Sequence, residues 1–281
     1  MLSRILSTVL LWSIILGSLW FFGAHAAVAI LTILAALTLH EFYQLAEKMG
    51  FRPFRWISLT FSVLITAGPF YVTEFFFEGD EPTSFAPTLL AIAVVVFCVR
   101  VLFERDNTNR IESLIATIVG LLYVPFMLHF LVRLMLIWNT DLTVGLVSCL
   151  WVVAVSKFCD VGALLTGLAF GKHKMAPIIS PKKTWEGAIG GVLTSAGIGA
   201  LVAWLAPDYL PEKLTPAIAA CVGVPIALVT IVSDLIESAM KRRADIKDSG
   251  KMIPGIGGAF DLTDSLILTS PVAYVIFFFL S

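Results

Sequence analysis

Two polar segments in the last third of the chain carry residue types that could bind a phosphorylated substrate. The first runs from Ser180 through Pro-Lys-Lys-Thr-Trp to Glu186, directly ahead of an apolar stretch. A serine followed by proline is typical of a helix start, so the pattern predicts an N-cap at Ser180 and free N–H groups that favour an anion. Lys182 and Lys183 add charges suited to polyphosphate. The alternative is that these lysines only anchor the neighbouring span at the membrane surface.

The second segment runs from Ser233 to Asp264 and alternates carboxylates with cations. If the preceding helix continues past Asp234, five polar residues recur at steps of three and four and share one face. They are Asp234, Ser238, Lys241, Asp245 and Asp248. Asp261 and Asp264 follow, three residues apart, at the start of the last apolar stretch, where the helix dipole alone would also favour them. Carboxylates with few His or Cys nearby suit a hard divalent cation such as Mg²⁺.

An intramembrane charge pair and a series of glycines in this region can be explained by structural roles. Lys157 and Asp160 lie three apart inside an apolar stretch, so we expect them to pair, although charges within a membrane are also functional candidates. The glycines that follow Glu186 indicate tight helix packing rather than a phosphate loop. They are Gly187, Gly190, Gly191, Gly197 and Gly199.

The composition identifies the environment that must hold these residues. The chain has 281 residues, of which 58% are hydrophobic and 14% charged, and its mean hydropathy is +0.93. Ordinary soluble domains are about 25% charged. Because so few charges cannot form a polar shell, lipid must be the main solvent. The net charge of −1 gives no indication of nucleic-acid binding.

Hydropathy predicts an all-α, polytopic integral membrane protein with about nine transmembrane helices. The nine stretches are 5–23, 26–46, 56–77, 85–103, 115–137, 142–168, 187–205, 215–236 and 264–280. The first could instead be a secretory signal, because Arg4 precedes an apolar run that ends in Ala24-His25-Ala26.

The connecting segments predict the orientation. Segments after the second, fourth, sixth and eighth stretches carry 14 basic residues, whereas the alternate segments carry only Lys213. The positive-inside rule therefore predicts a cytoplasmic amino terminus and places both polar segments on the cytoplasmic side. We expect residues 1–140 to form a scaffold of transmembrane helices and residues 141–281 to form the catalytic region, since 21 charged residues fall between Lys157 and Asp264.

These residues resemble the phosphatidate cytidylyltransferase family, also called the CDP-diacylglycerol synthases. The family signature reads S-x-x-K-R-x-x-x-x-K-D, a short spacer, then H-G-G-x-x-D-R-x-D. This chain matches it at Ser238, Lys241, Arg242, Lys247, Asp248, Gly257, Gly258, Asp261 and Asp264. The stretches Ser180–Gly187 and Ser233–Glu237 are also similar to family elements. The family histidine and arginine are replaced by Ile256 and Leu262.

The resemblance implies an Mg²⁺-dependent nucleotidyltransferase that converts CTP and phosphatidic acid to CDP-diacylglycerol and pyrophosphate, with a second cation left open. It implies a metal centre at Asp234 and Asp261, with Asp248 and Asp264 as direct or outer ligands, and catalytic roles for Ser238, Lys241 and Asp248. The implied substrate-binding residues are Ser180, Lys182, Lys183, Thr184, Glu186, Arg242, Lys247, Gly257 and Gly258. It also implies a bacterial inner membrane, a site facing the cytoplasm, and an assembly that could be a homodimer.

Two alternatives remain at this point. A CTP-dependent enzyme acting on another membrane lipid, such as a polyprenol or phytol kinase, would use similar groups. The replacement of the family histidine and arginine by Ile256 and Leu262 keeps this alternative open. An ion-coupled transporter would use Lys157, Asp160 and Asp234 as an ion pathway.

Overall fold

The computed structural model describes residues 2–76, 84–103, 110–138, 141–246, 249–250 and 257–281. These residues are almost entirely helical, which confirms the all-α prediction. The helices are α1 (Leu2–Lys48), α2 (Arg55–Phe76), α3 (Phe85–Leu102), α4 (Arg110–Tyr123), α5 (Pro125–Leu136), α6 (Leu142–Phe170), α7 (Trp185–Leu205), α8 (Pro216–Arg243), α9 (Ala259–Ile267) and α10 (Thr269–Leu280). Two short strands, β1 (Lys174–Ala176) and β2 (Ser180–Thr184), and a 3₁₀ turn at Pro207–Tyr209 complete the described elements.

Eight helical segments of the described chain are long and apolar enough to cross a membrane, against nine predicted. The chain is therefore an integral multi-pass membrane protein. The difference arises in α1, which contains the first two predicted spans and is interrupted at Gly23. Gly23 has φ 52° and ψ −128°, a conformation that glycine adopts without the steric cost of a side chain. The side of the membrane on which the amino terminus lies stays a prediction.

Two predicted spans are each built from two helices. α4 and α5 meet at Val124, just before Pro125, which lacks the N–H needed to continue the helical hydrogen-bond pattern. α9 and α10 are separated by Leu268, and together they form the last span, Ala259–Leu280. That span begins five residues before the predicted 264–280, so Asp264 lies inside it.

The chain divides into two compact units. Unit 1 comprises Met1–Arg133 and Arg243–Thr263, and unit 2 comprises Leu134–Arg242 and Asp264–Ser281. In unit 1, α1, α2 and α4 pack against one another. Its core contains a cluster of three aromatic rings, Phe42, Tyr123 and Phe260, with centroids 5.9–6.5 Å apart.

The core of unit 2 is the packing of α6 against α7, and glycines make it possible. A Cβ on Gly187 would lie 2.8 Å from the carbonyl oxygen of Ala163, and one on Gly191 would lie 2.9 Å from that of Cys159. Gly190 and Gly199 are crowded by side chains of α6 in the same way. The packing prediction is thus confirmed for these four glycines. Gly197 is the exception, since it is exposed with nothing within 4 Å of a Cβ.

The predicted helix start at Ser180 is wrong. Residues Ser180–Thr184 form β2, which pairs antiparallel with β1, and α7 begins at Trp185. Thr184 is the N-cap, because its Oγ1 accepts a hydrogen bond from the Gly187 N–H at 3.1 Å. Pairing of Ala176 with Ser180 keeps the Ser-Pro dipeptide extended, so Thr184 takes the capping role that the sequence suggests for Ser180.

The eighth predicted helix does continue past Asp234, as expected, and α8 ends at Arg243. The predicted polar face is therefore confirmed through Lys241 but is wrong for Asp245. Asp245 has φ 55°, which lies in the left-handed region, so it belongs to the turn after the helix. Asp248, the last member of the predicted face, lies outside the described residues.

Candidate active site

Three carboxylates of unit 2 converge in the structure. Asp234 and Glu237 lie three residues apart on α8, and Asp264 comes from α9. One oxygen of each lies within 4.8 Å of the others. Glu237 is buried, with 1% of its side chain exposed, whereas Asp234 and Asp264 are partly exposed. We call these three residues the carboxylate cluster.

Each member of the carboxylate cluster pairs with one lysine, and the three lysines come from three different elements. Lys183 Nζ, at the end of β2, lies 2.5 Å from Asp234 Oδ2. Lys241 Nζ, one turn further along α8, lies 2.7 Å from Glu237 Oε1. Lys157 Nζ on α6 lies 3.4 Å from Asp264 Oδ1. The two polar segments recognised in the sequence therefore meet at one place, and α6 adds a third contributor.

Lys157 also pairs with Asp160, as predicted from their spacing. Its Nζ lies 4.0 Å from Asp160 Oδ2, which is longer than its contact with Asp264. Lys157 therefore lies between two carboxylates, one on its own helix and one on α9. Asp160 in turn lines the cavity described below.

Small hydroxyl groups hold α8 against α9 and α10. The Ser233 hydroxyl donates to the backbone carbonyl of Asp264. The Thr230 and Thr269 hydroxyls lie 3.2 Å apart, and all three hydroxyl residues are fully buried. Thr230 and Ser233 lie just before Asp234 on α8. Their contacts therefore fix the backbone of Asp264 relative to Asp234 and Glu237.

A cavity of about 350 Å³ adjoins the carboxylate cluster. Asp160, Asp234, Lys182 and Lys183 give it a charged part. The remaining lining is mainly apolar and includes Ala163, Leu164, Leu168, Met175 and Ile231. Leu164 and Leu168 are 62% and 77% exposed on the membrane-spanning helix α6. The cavity thus combines cationic groups of the type that suits phosphate with a flank compatible with an acyl chain.

The structure gives several predicted substrate-binding residues a positioning contact. The Glu186 carboxylate accepts from the backbone N–H groups of Lys172 and His173, and pairs with the His173 ring nitrogen Nδ1 at 2.5 Å. Glu186 therefore holds the segment that leads into the hairpin. Arg242 Nε donates to the carbonyl of Ile179 at 3.4 Å, which connects the end of α8 to the hairpin turn.

Other predicted residues are placed as follows. Thr184 is buried and lines the cavity next to its capping contact. Ser180 starts β2, and Ser238 is half-buried on α8, four residues after Asp234. Lys247, Asp248 and Ile256 lie outside the described residues. Leu262, which replaces the family arginine, is half-buried on α9.

Asp261 lies in unit 1, where it organises the start of α9. Its Oδ2 accepts from the Gly258 N–H at 2.8 Å, the reciprocal arm of a capping box, and from the N–H and hydroxyl of Ser249 at 3.2 and 2.9 Å. Gly257 has φ 122°, and a Cβ there would lie 2.5 Å from Asp261 Oδ2. Both conditions require glycine at 257. The predicted role of Asp261 as a metal ligand stays a prediction.

Glu237 is the site residue that sequence reasoning missed. Glu237 lies in the stretch Ser233–Glu237, which is similar to a family element, but the sequence pattern predicted no function for it. The available signal was its spacing of three from Asp234, which places both carboxylates on one helix face. The apolar residues around it gave no indication that this glutamate, rather than Asp245 or Asp248, would join Asp234.

The carboxylate cluster fits a hard divalent cation. Mg²⁺ binds oxygen ligands at about 2.0–2.1 Å, so ligands on opposite sides of one ion lie about 4 Å apart. Three carboxylate oxygens lie within 4.8 Å of one another, so side-chain adjustments that also move the paired lysines aside would bring all three to one ion. All three donors are oxygens, which suits Mg²⁺ better than a soft metal.

Comparison with known proteins identifies the family. The model of the cytidylyltransferase family matches residues 2–280. The chain belongs to the cytidylyltransferase family. It is therefore a nucleotidyltransferase enzyme, which decides against the transporter alternative.

Curated relatives extend this result. The chain is 28% identical to the phosphatidate cytidylyltransferase of Synechocystis over 97% of its own length and 94% of the relative's. It is 37% identical to that of Rickettsia prowazekii, over 67% of this chain and 81% of the relative. It is 34% identical to that of Mycobacterium bovis over 65% of this chain, an alignment that spans 60% of the relative's length.

Proposed function

We propose that this enzyme transfers CMP from CTP to phosphatidic acid in an Mg²⁺-dependent reaction that gives CDP-diacylglycerol and pyrophosphate. The carboxylate cluster and its lysines carry the proposal, because they join carboxylates suited to a cation to ammonium groups suited to phosphate. The relatives named phosphatidate cytidylyltransferase supply the acceptor.

The chemistry requires positioning and charge neutralisation rather than a protein nucleophile. An oxygen of the phosphatidate phosphate attacks the α-phosphorus of CTP, the bond from the α-phosphorus to the β-bridging oxygen breaks, and pyrophosphate leaves with the electron pair. The attacking oxygen is already anionic, so no side chain has to form a covalent intermediate. Mg²⁺ held by Asp234, Glu237 and Asp264 would neutralise phosphate charge. The sequence-based assignment of Asp261 as a metal ligand beside Asp234, with Asp248 as a direct or outer ligand, remains part of this proposal, and a second cation is left open.

The lysines have a separate role in this proposal. Lys182 and Lys183 line the cavity, where their ammonium groups bind the phosphates of the two substrates. Lys241 is close enough to Glu237 to keep that buried carboxylate compensated, and with Arg242 it stabilises the departing pyrophosphate. Ser238 donates a hydrogen bond to a substrate phosphate oxygen.

The apolar flank of the cavity supports a lipid acceptor. Leu164 and Leu168 are exposed on a helix that crosses the membrane, so lipid chains surround them. A phosphatidic acid could place its acyl chains along these residues and its phosphate near Lys182 and Lys183. CTP would reach the same lysines from the aqueous side.

We further propose that the site faces the cytoplasm of a bacterial cell, at the inner membrane. All four basic connecting segments lie C-terminal to the second predicted span. Their common side therefore does not depend on how residues 2–22 cross the membrane, and the 14-to-1 distribution of basic residues supports a cytoplasmic placement. Assembly as a homodimer stays a prediction.

An acceptor panel with CTP labelled at either the α- or the γ-phosphate tests the reaction. Purified enzyme in detergent is given Mg²⁺ and phosphatidic acid, diacylglycerol, a polyprenol or phytol. We expect the α-label on the lipid and the γ-label in pyrophosphate, with phosphatidic acid as acceptor, and Asp234→Asn should abolish both. Transfer of the γ-label to an alcohol would instead identify a lipid kinase and overturn the proposal.

A further inference from the structure

Glu41 is a buried carboxylate in the first helix of unit 1, in the part of the chain that the sequence assigned to a scaffold. It is 6% exposed and lies on α1 between Thr38 and Phe42. A buried carboxylate in a membrane-spanning helix is costly unless strong hydrogen bonds compensate it. Its partners therefore indicate why it is present.

The partners of Glu41 all belong to the signature segment, in its spacer and its second half. Its Oε2 accepts from the backbone N–H of Phe260 at 2.9 Å. It also lies 2.9 Å from the Ser249 hydroxyl oxygen, whose single proton Glu41 shares with Asp261. Phe260 lies in the first turn of α9, where backbone N–H groups lack helical acceptors, so a carboxylate there is also favoured by the helix dipole. Thr38, one turn earlier on α1, contacts Thr263 at 2.9 Å through the two hydroxyls.

Two glycines show how closely the segment surrounds this carboxylate. A Cβ on Gly250 would collide with Glu41 Oε1, and one on Gly258 would collide with Glu41 Oε2 and with Ser249 Oγ. Gly258 belongs to the glycine pair of the signature, which we expected to bind substrate. In the structure, the absence of a side chain at Gly258 instead allows the backbone to approach Glu41.

We propose that Glu41 is a positioning residue of this enzyme: its carboxylate holds Ser249 and the first turn of α9, and thereby Asp261, in place. Ser249 links the two carboxylates, because its hydroxyl lies 2.9 Å from an oxygen of each. Asp261 also binds the N–H of Gly258, so the whole turn depends on the two acidic side chains. The consequence for turnover rests on the function proposed above, whereas the consequence for the local structure does not.

Amide hydrogen exchange of the peptide covering residues 257–263 tests the proposal without any turnover. Glu41→Ala removes the carboxylate that accepts from the Phe260 N–H and contacts the Ser249 hydroxyl. We therefore expect amide exchange at Phe260 to be about tenfold faster or more. Glu41→Gln keeps an oxygen that can accept and should keep most of the protection. The matched control is Glu47→Gln, since Glu47 lies on the same helix but pairs with Arg55 at 3.0 Å, and it should leave exchange unchanged.

CDP-diacylglycerol formation by the same variants supplies the second measurement. We expect Glu41→Ala to lose about tenfold or more in rate, Glu41→Gln to recover most of it, and Glu47→Gln to match the parent. If Glu41→Ala does not fold, Ser249→Ala takes its place, because it removes the hydroxyl that lies between Glu41 and Asp261, and its exchange over residues 257–263 should be faster than the parent's. Unchanged exchange in Ser249→Ala would then overturn the proposal. Unchanged exchange in Glu41→Ala, or equal acceleration in Glu41→Ala and Glu47→Gln, would overturn the proposal. Faster exchange in an enzyme that makes no CDP-diacylglycerol would overturn the proposed reaction and retain the positioning role.

Discussion

The ammonium group of Lys183 lies 2.5 Å from the Oδ2 of Asp234, although Lys183 belongs to the strand β2 and Asp234 to the membrane-spanning helix α8. The contact joins the two polar segments that each suggest phosphate chemistry. In the reaction that we propose, it places a cation beside the carboxylate cluster, where the phosphates of CTP would bind. The lysine therefore has a more specific position than the membrane-anchoring alternative requires.

Replacing Lys183 should impair use of CTP. Lys183→Met removes a charge that we expect to stabilise phosphate in the transition state, so kcat/KM for CTP should fall about 100-fold or more. Steady-state pyrophosphate release over a range of CTP concentrations measures this. Lys213→Met is the control, because Lys213 donates to the carbonyl of Ser281, and it should stay within about twofold of the parent. Similar losses in both variants would contradict the assignment.

Glu237 should contribute to Mg²⁺ binding even though the sequence did not identify it. Glu237→Gln removes one negative oxygen from the carboxylate cluster, so the Mg²⁺ concentration for half-maximal activity should rise about tenfold or more. Electron paramagnetic resonance of bound Mn²⁺ gives an independent measure of cation affinity. Asp245→Asn serves as control, since Asp245 lies in an exposed turn at φ 55°, which asparagine tolerates. An unchanged cation affinity in Glu237→Gln would exclude this ligand.

Thr184 and Ser180 offer a direct comparison of the observed and the sequence-predicted N-cap. Thr184→Ala removes the acceptor of the Gly187 N–H and should lower the free energy of unfolding by about 1 kcal/mol. Ser180→Ala should change it by less than about 0.5 kcal/mol. Thermal unfolding of the two variants in the same detergent measures the difference. A larger loss for Ser180→Ala would mean that the helix begins where the sequence suggested.

Two glycines of α7 should respond oppositely to alanine. In Gly191→Ala the Cβ would lie 2.9 Å from the Cys159 carbonyl oxygen and 3.1 Å from Ala163 Cβ, so overpacking should cost about 1–3 kcal/mol. Gly197→Ala meets open space and should stabilise the helix by about 0.5–1 kcal/mol. The unfolding temperatures of both variants in detergent test this. Equal destabilisation would show that Gly197 also packs against a neighbour.

Much of the candidate site follows from sequence spacing, and the departures have identifiable causes. Asp234 and Lys241 share a face of α8 because steps of three and four follow the helical period, and this was predictable. Asp245 leaves that face because the helix ends at Arg243, and the polar residues around the end contain no strong stop signal. Ser180 resembled an N-cap locally, but strand pairing with Ala176 outweighs that local preference.

The sequence by itself determined the solvent, the helical architecture, the types of residue available for chemistry, and the family signature, because each depends on composition or on spacing along one element. Only the tertiary structure decided that Asp264 joins Asp234 and Glu237, that Lys157 and Lys183 pair with this cluster, and that Glu41 binds the start of α9. The physical reason is that periodicity defines which residues share a helix face but not which faces meet. That choice depends on packing, such as the glycine contacts of α7 and the buried hydroxyls of Ser233 and Thr230.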